Sequence, residues 1–384
     1  MTDPVVAEIR TEAIRANLEA IRRRARAGIP ICAAIKADAY GHGFEQVVPI
    51  LSKAGVERLA VANLEEALRL RTLGWTGPVL NFGSSLLTFD GANQLTQTLE
   101  AVAADICCTI SSIHEARLLT AAAAKLDRRA RVEIQIDSGI GRMGLLVEDA
   151  RNVITELIGY SHLIVEGIYT HFATADEADL TFAREQLARF TELLQECKNL
   201  GIGVNTYHAA NSAAIFRMPT SHLDMLRPGL AIYGYWGGPV EERPQDLKPA
   251  LRMVSRLTTI RRVPAGHTIG YGCTFKTKRD SVIGVVPVGY ADGYRRLLSN
   301  DAVMTVPDKP GRPRRSVPVV GRISMDQVTV DLTEAGEVCI GEEIVIIDDD
   351  PSAPNSIENL ARKMETIPYE ITCLLGQRIR RVQV

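Results

Sequence analysis

Along the first two thirds of the chain, short apolar runs alternate with longer stretches whose apolar positions recur every three or four residues. The runs fall at 31–35, 59–62, 79–82, 105–110, 132–136, 163–170, 206–208 and 226–233. Between them, stretches such as Asn63-Leu-Glu-Glu-Ala-Leu-Arg-Leu-Arg71 and 181–200 are rich in Ala, Leu and Glu and carry helical spacing. The runs recur at about 20–35 residues, the rhythm of repeated βα units. Eight such units in about 230 residues predict a closed parallel (β/α)8 barrel, with a doubly wound open sheet as the main rival.

Near Tyr235 the texture changes. Trp236-Gly-Gly-Pro239 and the polar Glu241-Glu-Arg-Pro-Gln-Asp246 read as a connector. Beyond it come β-branched runs broken by turns, at 258–263, 282–288, 315–320, 327–332 and 343–347. Strands without intervening helices predict a second, mostly antiparallel β domain. The division expected is a barrel over 11–240 and a C-terminal β domain over 241–384.

Composition narrows the function. With 384 residues, 46% hydrophobic and 23% charged, the chain is an ordinary globular protein, neither disordered nor a rod. Lys and Arg number 44 against 46 Asp and Glu, so no basic surplus points to nucleic acid or to an anionic membrane. No run approaches the ~18 apolar residues of a spanning helix, and the N-terminus carries charges where a secretion signal needs an apolar stretch. A cytoplasmic location is expected. The seven cysteines are scattered and odd in number, with no C-x-x-C pair, so reduced thiols are expected and no metal site.

The run at 31–35 ends in Lys36, followed by Ala-Asp-Ala-Tyr-Gly-His-Gly43. A lysine at the C-terminal mouth of a first barrel strand stands where barrel enzymes keep their chemistry. Apolar flanks desolvate its amine, which then loses its proton more easily and attacks carbonyls. Read alone, it is more readily a strand-end lysine reaching water; the glycine-rich loop with Tyr40 and His42, able to approach a ligand closely, weakens that reading.

The string Lys36 to Gly43 resembles the cofactor-lysine motif of the alanine racemase family, whose lysine holds pyridoxal 5′-phosphate covalently. Further segments resemble that family in its order. They are Gly167-Ile-Tyr-Thr-His-Phe-Ala-Thr-Ala-Asp176, Tyr207-His-Ala-Ala-Asn-Ser-Ala-Ala214, Leu226-Arg-Pro-Gly-Leu-Ala-Ile-Tyr-Gly234, Ile269-Gly-Tyr-Gly-Cys-Thr-Phe275, Val288-Gly-Tyr-Ala-Asp-Gly293, Gly321-Arg-Ile-Ser-Met-Asp326 and Tyr369-Glu-Ile-Thr-Cys373. The likeness covers nearly the whole chain. It implies a barrel bearing the cofactor, joined to a C-terminal β domain with which residues 1–10 pair.

The resemblance also assigns roles. Lys36 would anchor the cofactor and handle the α-proton of the D-enantiomer; Tyr271 would be the opposing base, serving the L-enantiomer. A free tyrosine has a pKa near 10 and needs a nearby cation to act near neutrality; His171, bonded between Tyr271 and Arg227, is the expected network. Arg227 would face the pyridine nitrogen and, being no acid, leave it unprotonated. Phosphate would meet the hydroxyls of Tyr40, Ser212 and Tyr369 and the N–H groups of Gly229 and Leu230. Asn211 belongs to the same loop, and His208 would stack on or bond to the cofactor ring. The substrate carboxylate would meet Arg142 and the Met325 N–H, while Tyr290 narrows the pocket toward a methyl side chain. In this family Tyr271, Tyr290 and Met325 reach the site from the partner subunit of a homodimer, and the product serves cell-wall precursors or D-alanine catabolism.

Gly139-Ile-Gly141-Arg-Met-Gly144, after the run at 132–136, imitates a dinucleotide fingerprint, with Glu166 as its acid. Glu166 would lie in mid-strand rather than at the strand end where a ribose sits, which counts against it. The chain also departs from the family at Gln135, where many members carry a carbamylated lysine. Arg142 would then be positioned by the Gln135 amide oxygen, by water or by a bound anion. The basic segment 308–315 reads as a solvated hairpin loop. The activity expected is interconversion of L- and D-alanine. A broader, serine or basic amino-acid racemase is the nearest rival, with a decarboxylase, a non-catalytic cofactor carrier and a nicotinamide oxidoreductase further off.

Overall fold

The alternating first part of the chain closes into a parallel barrel. The structure, a computed structural model, describes residues 3–83 and 91–384. Cys32–Ala34, Arg58–Val61, Val79–Asn81, Cys107–Ile110, Ala130–Asp137, Leu163–Thr170 and Thr206–His208 pair in sequence order, each parallel to the next. Helices pack outside. Two of them, Leu64–Thr72 and Ile113–Lys125, start on side-chain caps: Asn63 accepts from the Glu66 N–H and Ser112 from the Glu115 N–H.

The eighth predicted strand, 226–233, does not form as such. Leu226 makes a single parallel bridge to Ile31. Cys32 N–H donates to Leu226 O at 2.8 Å and Ala34 N–H to Pro228 O at 2.8 Å, while Asp224 N–H reaches Tyr207 O at 2.9 Å. The ring therefore closes on both sides of this segment. Pro228 has no N–H to continue a ladder, and the chain turns at Gly229 into the 3-10 helix Leu230–Tyr233.

The second part is built on a six-stranded sheet in the order Arg315–Pro318, Val303–Val306, Glu343–Ile347, Leu251–Arg256, Val5–Ile9, Arg380–Gln383. The N-terminal strand Val5–Ile9 runs antiparallel to Leu251–Arg256 and parallel to Arg380–Gln383. A three-stranded antiparallel sheet, Thr259–Val263, Ser281–Val286 and Val328–Asp331, stands beside it. The expected architecture, a (β/α)8 barrel with a largely antiparallel β domain, is thus the one observed. Among the described residues no helix is long and apolar enough to cross a membrane.

One polar side chain ties the barrel to the connector. Asn17, fully buried on the helix Thr11–Arg23, donates through Nδ2 to Ile232 O (3.0 Å) and Lys248 O (2.8 Å) and accepts from Lys248 N–H (2.7 Å). A leucine there would fill the volume but leave three backbone groups, one buried and two partly buried, without this partner. Asn17→Leu is expected to destabilise the protein by about 2–4 kcal/mol, read as a lowered midpoint in denaturant titration.

Candidate active site

Lys36 stands directly after the first barrel strand, at the C-terminal mouth. The next four residues, Ala37, Asp38, Ala39 and Tyr40, all have φ of 53–56°, a left-handed turn made without glycine. Each such residue costs about 1–2 kcal/mol relative to a right-handed turn. Surrounding bonds hold the turn: Ala37 N–H donates to Glu66 Oε1 (2.7 Å), Phe44 N–H to Asp38 Oδ1 (3.0 Å) and Gly43 N–H to Asp38 O (2.9 Å). His42 Nδ1 lies within 3.0 Å of the Ala39 and Tyr40 carbonyls. The turn sends the Tyr40 ring back against the barrel mouth, where it packs 5.8 Å from the ring of Tyr369.

A cavity of about 280 Å³ opens here. On one side stand the hydroxyls of Tyr40, Tyr369 and Ser212 beside Gly229. A Cβ on Gly229 would lie 2.3 Å from Tyr40 Oη, so the glycine keeps this corner open. Elsewhere on the wall are Lys36, Arg142, His171 and Arg227. Among the described residues no carboxylate lines the cavity, which therefore carries positive potential and suits an anionic ligand.

Electrostatics follow from burial. Burial, then the charge of Arg142, lowers the Lys36 pKa below its ordinary value, which favours the nucleophilic amine. Burial, then Arg227, Arg142 and Lys36, pushes His171 down to about 3, so its imidazole is neutral near pH 7. Arg227, 3% exposed, donates from Nη2 to Thr170 O (2.7 Å) and Ala209 O (3.2 Å), and Nη2 is 3.4 Å from His171 Nδ1.

The predicted residues divide into three groups. Lys36, Tyr40, Arg142, His171, Asn211, Ser212, Arg227, Gly229, Leu230 and Tyr369 come together on the cavity wall. Asn211 also caps the helix Ser212–Arg217 by accepting from Ala214 N–H. His208 does not face the cavity. Its Nδ1 is 2.7 Å from Arg227 Nη1 and its Nε2 is 2.9 Å from Glu133 Oε2, and its ring stacks on Tyr169. Both nitrogens are engaged, so the expected contact with a cofactor ring is corrected to a place behind Arg227. The Gly229 N–H is also engaged: it donates to Ser212 Oγ at 2.9 Å rather than pointing outward. Tyr271, Tyr290 and Met325 form the third group, lying away from the cavity within the chain and exposed at 71%, 40% and 53%. The loops of the latter two are joined, since Tyr290 N–H donates to Ser324 O and Ala291 N–H to Met325 O.

Two motifs resolve locally. The backbone N–H groups of Gly139, Gly141 and Arg142 all donate to the Asp137 carboxylate. Donors folded onto an internal acid cannot cradle a pyrophosphate, and Glu166 lies within the strand Leu163–Thr170. Gln135 accepts through Oε1 from Tyr169 Oη (3.1 Å), which also bonds Thr109 Oγ1 (2.9 Å). Among the described residues no hydrogen bond joins Gln135 to Arg142. Tyr169, Phe82 and Met143 line the cavity without having been singled out from sequence. Tyr169 was discoverable by period two, since it precedes His171 by two on one strand face.

Pyridoxal 5′-phosphate fits this donor set. A desolvated amine awaits an aldehyde, hydroxyls beside a glycine cradle suit a phosphate, and a buried guanidinium suits an unprotonated ring nitrogen. The comparisons agree in kind. Residues 9–236 match the family model of the alanine racemase N-terminal domain, and 250–383 that of the C-terminal domain. The chain is 40% identical over 380 residues to alanine racemase 1 of Caldanaerobacter subterraneus subsp. tengcongensis, covering 99% of this chain and 94% of the relative. It is 37% identical to the alanine racemase of Methanococcus maripaludis, covering 100% and 99%. Among solved structures, the alanine racemase of Clostridium difficile 630 superposes with a TM-score of 0.90 at 32% identity, covering 100% of this chain and 96% of that one. That of Streptomyces lavendulae, a D-cycloserine producer, gives 0.89 at 32%, covering 100% and 98%.

The left-handed turn yields a stability test. Ala37 is exposed, so glycine there loses no packing while removing the Cβ clash. After the entropic penalty of glycine in the unfolded chain, Ala37→Gly should gain about 0.5–1 kcal/mol, a rise on the order of 2 °C in a calorimetric scan.

Proposed function

The chain belongs to the alanine racemase family and is an isomerase that interconverts L- and D-alanine; we propose that Lys36 and Tyr271 carry the reaction from opposite faces of the substrate, with pyridoxal 5′-phosphate as cofactor. The observation that carries this reading is the lone desolvated lysine at the barrel mouth, in a cavity whose described charges are all positive. When bound, the cofactor supplies an aldehyde for the amino group and a ring that withdraws electrons from the α-carbon.

Each residue then has a task. Tyr40, Ser212 and Tyr369, with the Leu230 N–H, would hold the phosphate, and Asn211 fixes the loop that presents Ser212. Arg227 would stand toward the ring nitrogen and, being no acid, would leave it unprotonated, so that the ring would be a weaker electron sink. Arg142 binds the substrate carboxylate. Lys36 Nζ takes the α-proton of the D-enantiomer and returns one to that face; Tyr271 Oη does the same on the other, with neutral His171 accepting from Arg227 and linking it to the phenol.

Tyr271, Tyr290 and Met325 are exposed on the β domain and absent from the cavity of their own chain. We assign them to the site of a partner, so that a homodimer completes two sites and the barrel (11–240) of one protomer works with the β domain (241–384) of the other. Tyr290 there narrows the pocket toward a methyl side chain, and the Met325 N–H assists Arg142.

Deuterium uptake from solvent into the α-position of single-enantiomer amino acids tests the assignment and its selectivity. Exchange is expected for both alanines and is expected to fall steeply for serine and basic amino acids. Absence of exchange with alanine overturns the reading. Lys36→Ala and Tyr271→Phe chains, each inactive, should regain activity when mixed and allowed to exchange subunits; no recovery in a confirmed heterodimer refutes shared sites.

A further inference from the structure

Glu133 is a fully buried carboxylate in the middle of the strand Ala130–Asp137, and the chemistry above gives it no task. Period two places Glu133, Gln135 and Asp137 on one face of that strand, as it places Gly167, Tyr169 and His171 on the next. A Cβ on Gly167 would lie 3.1 Å from the Glu133 carboxyl carbon, so the neighbouring strand leaves room for this acid. One oxygen, Oε1, is paired with Arg58 Nη1 at 2.8 Å. The other, Oε2, meets His208 Nε2 at 2.9 Å.

We propose that Glu133 is a positioning residue for racemisation, fixing through His208 the tautomer that holds the Arg227 guanidinium in place. The proposal rests on the reading that Arg227 faces the cofactor ring.

The argument is one of donors and acceptors. A guanidinium has only N–H donors, so His208 Nδ1, 2.7 Å from Arg227 Nη1, must accept. The ring proton must then sit on Nε2, in a site from which water is excluded: His208 is 0% exposed. Only an acceptor opposite Nε2 permits this, and Glu133 Oε2 is that acceptor. Were the proton on Nδ1, two donors would face each other and Arg227 would have to turn, disturbing its bonds to Thr170 O and Ala209 O. Burial, opposed by the Glu133 charge, keeps His208 low at about 4, so the neutral ring is the form present at pH 7.

Glutamine at 133 preserves shape and removes the constraint. Its amide cannot offer oxygen to both His208 and Arg58. If it satisfies Arg58, its NH2 donates to Nε2 and drives the proton to Nδ1.

The test uses the full-length protein with ¹⁵N-labelled histidine, the His208 signals being assigned by comparison with His208→Gln. Native His208 should show Nε2 protonated and Nδ1 bare, with and without cofactor. Glu133→Gln should shift the proton toward Nδ1. In the loaded enzyme it should raise, by about tenfold, half-transamination relative to racemisation, the scale at which outer partners act on a positioned side chain. Half-transamination is read as pyruvate released while the amino group stays on the cofactor. Loss of an ion pair to Arg58 alone would not move that ratio, and Arg58→Leu serves as the control. Native His208 protonated on Nδ1, or a Glu133→Gln enzyme with an unchanged tautomer or unchanged ratio, overturns the proposal. If Glu133→Gln does not fold, Gly167→Ala, which displaces the carboxylate without changing its charge, is read in the same way. Because the tautomer is read without cofactor, failure of the relay is distinguishable from failure of the racemase reading.

Discussion

The structure depends on keeping one cation dry. Arg227 is buried at the barrel mouth, and among the described residues no carboxylate pairs with it. A bare buried charge is costly unless its donors are met. Two carbonyls and the neutral imidazoles of His208 and His171 meet them here, and the nearest compensating anion, Glu133, stands one side chain further in. The arrangement leaves the guanidinium fully charged while keeping acids away from the cavity. An aspartate directly beside Arg227 would satisfy the same donors, but it would lower the potential that Lys36 and His171 experience.

The cavity is shaped by local departures from regular structure. Four consecutive left-handed residues follow Lys36, and the chain closes the barrel at Leu226 by a bridge instead of a strand. Both departures bring functional groups to the mouth: the first seats Tyr40, the second turns at Gly229 so that Leu230 begins a 3-10 helix facing the same corner. Strain at these points is sustained by side-chain bonds from ordinary helices and strands, Glu66 being the clearest case.

Much of this was legible in the sequence. The strands Leu163–Thr170 and Thr206–His208 have the limits that their apolar runs predict. The run at 226–233 misled because its apolar content is real but its Pro-Gly step stops a ladder. The strand Leu251–Arg256 was not predicted, although it lies inside the large sheet. Its Arg252 looks like a surface residue in sequence, and only the fold brings Glu8 and Glu343 against it from neighbouring strands. The site divides similarly. Lys36, Tyr40, Arg142 and Arg227 were readable as parts of motifs, whereas Glu133 carries no motif and gains meaning only when the barrel sets it beside His208. His208 itself was placed in the right neighbourhood and the wrong layer, since a motif marks a residue without saying which way its ring nitrogens are spent.

The large sheet has one further consequence. Val5–Ile9 lies between Leu251–Arg256 and Arg380–Gln383, so this strand finds one neighbour only after the barrel segments have been made and the other later still. A barrel built from successive neighbours can assemble progressively on the ribosome, while its companion sheet must wait with an unpaired edge. Maturation is thereby ordered in time: the half that carries Lys36 can be in place before the half that carries Tyr271.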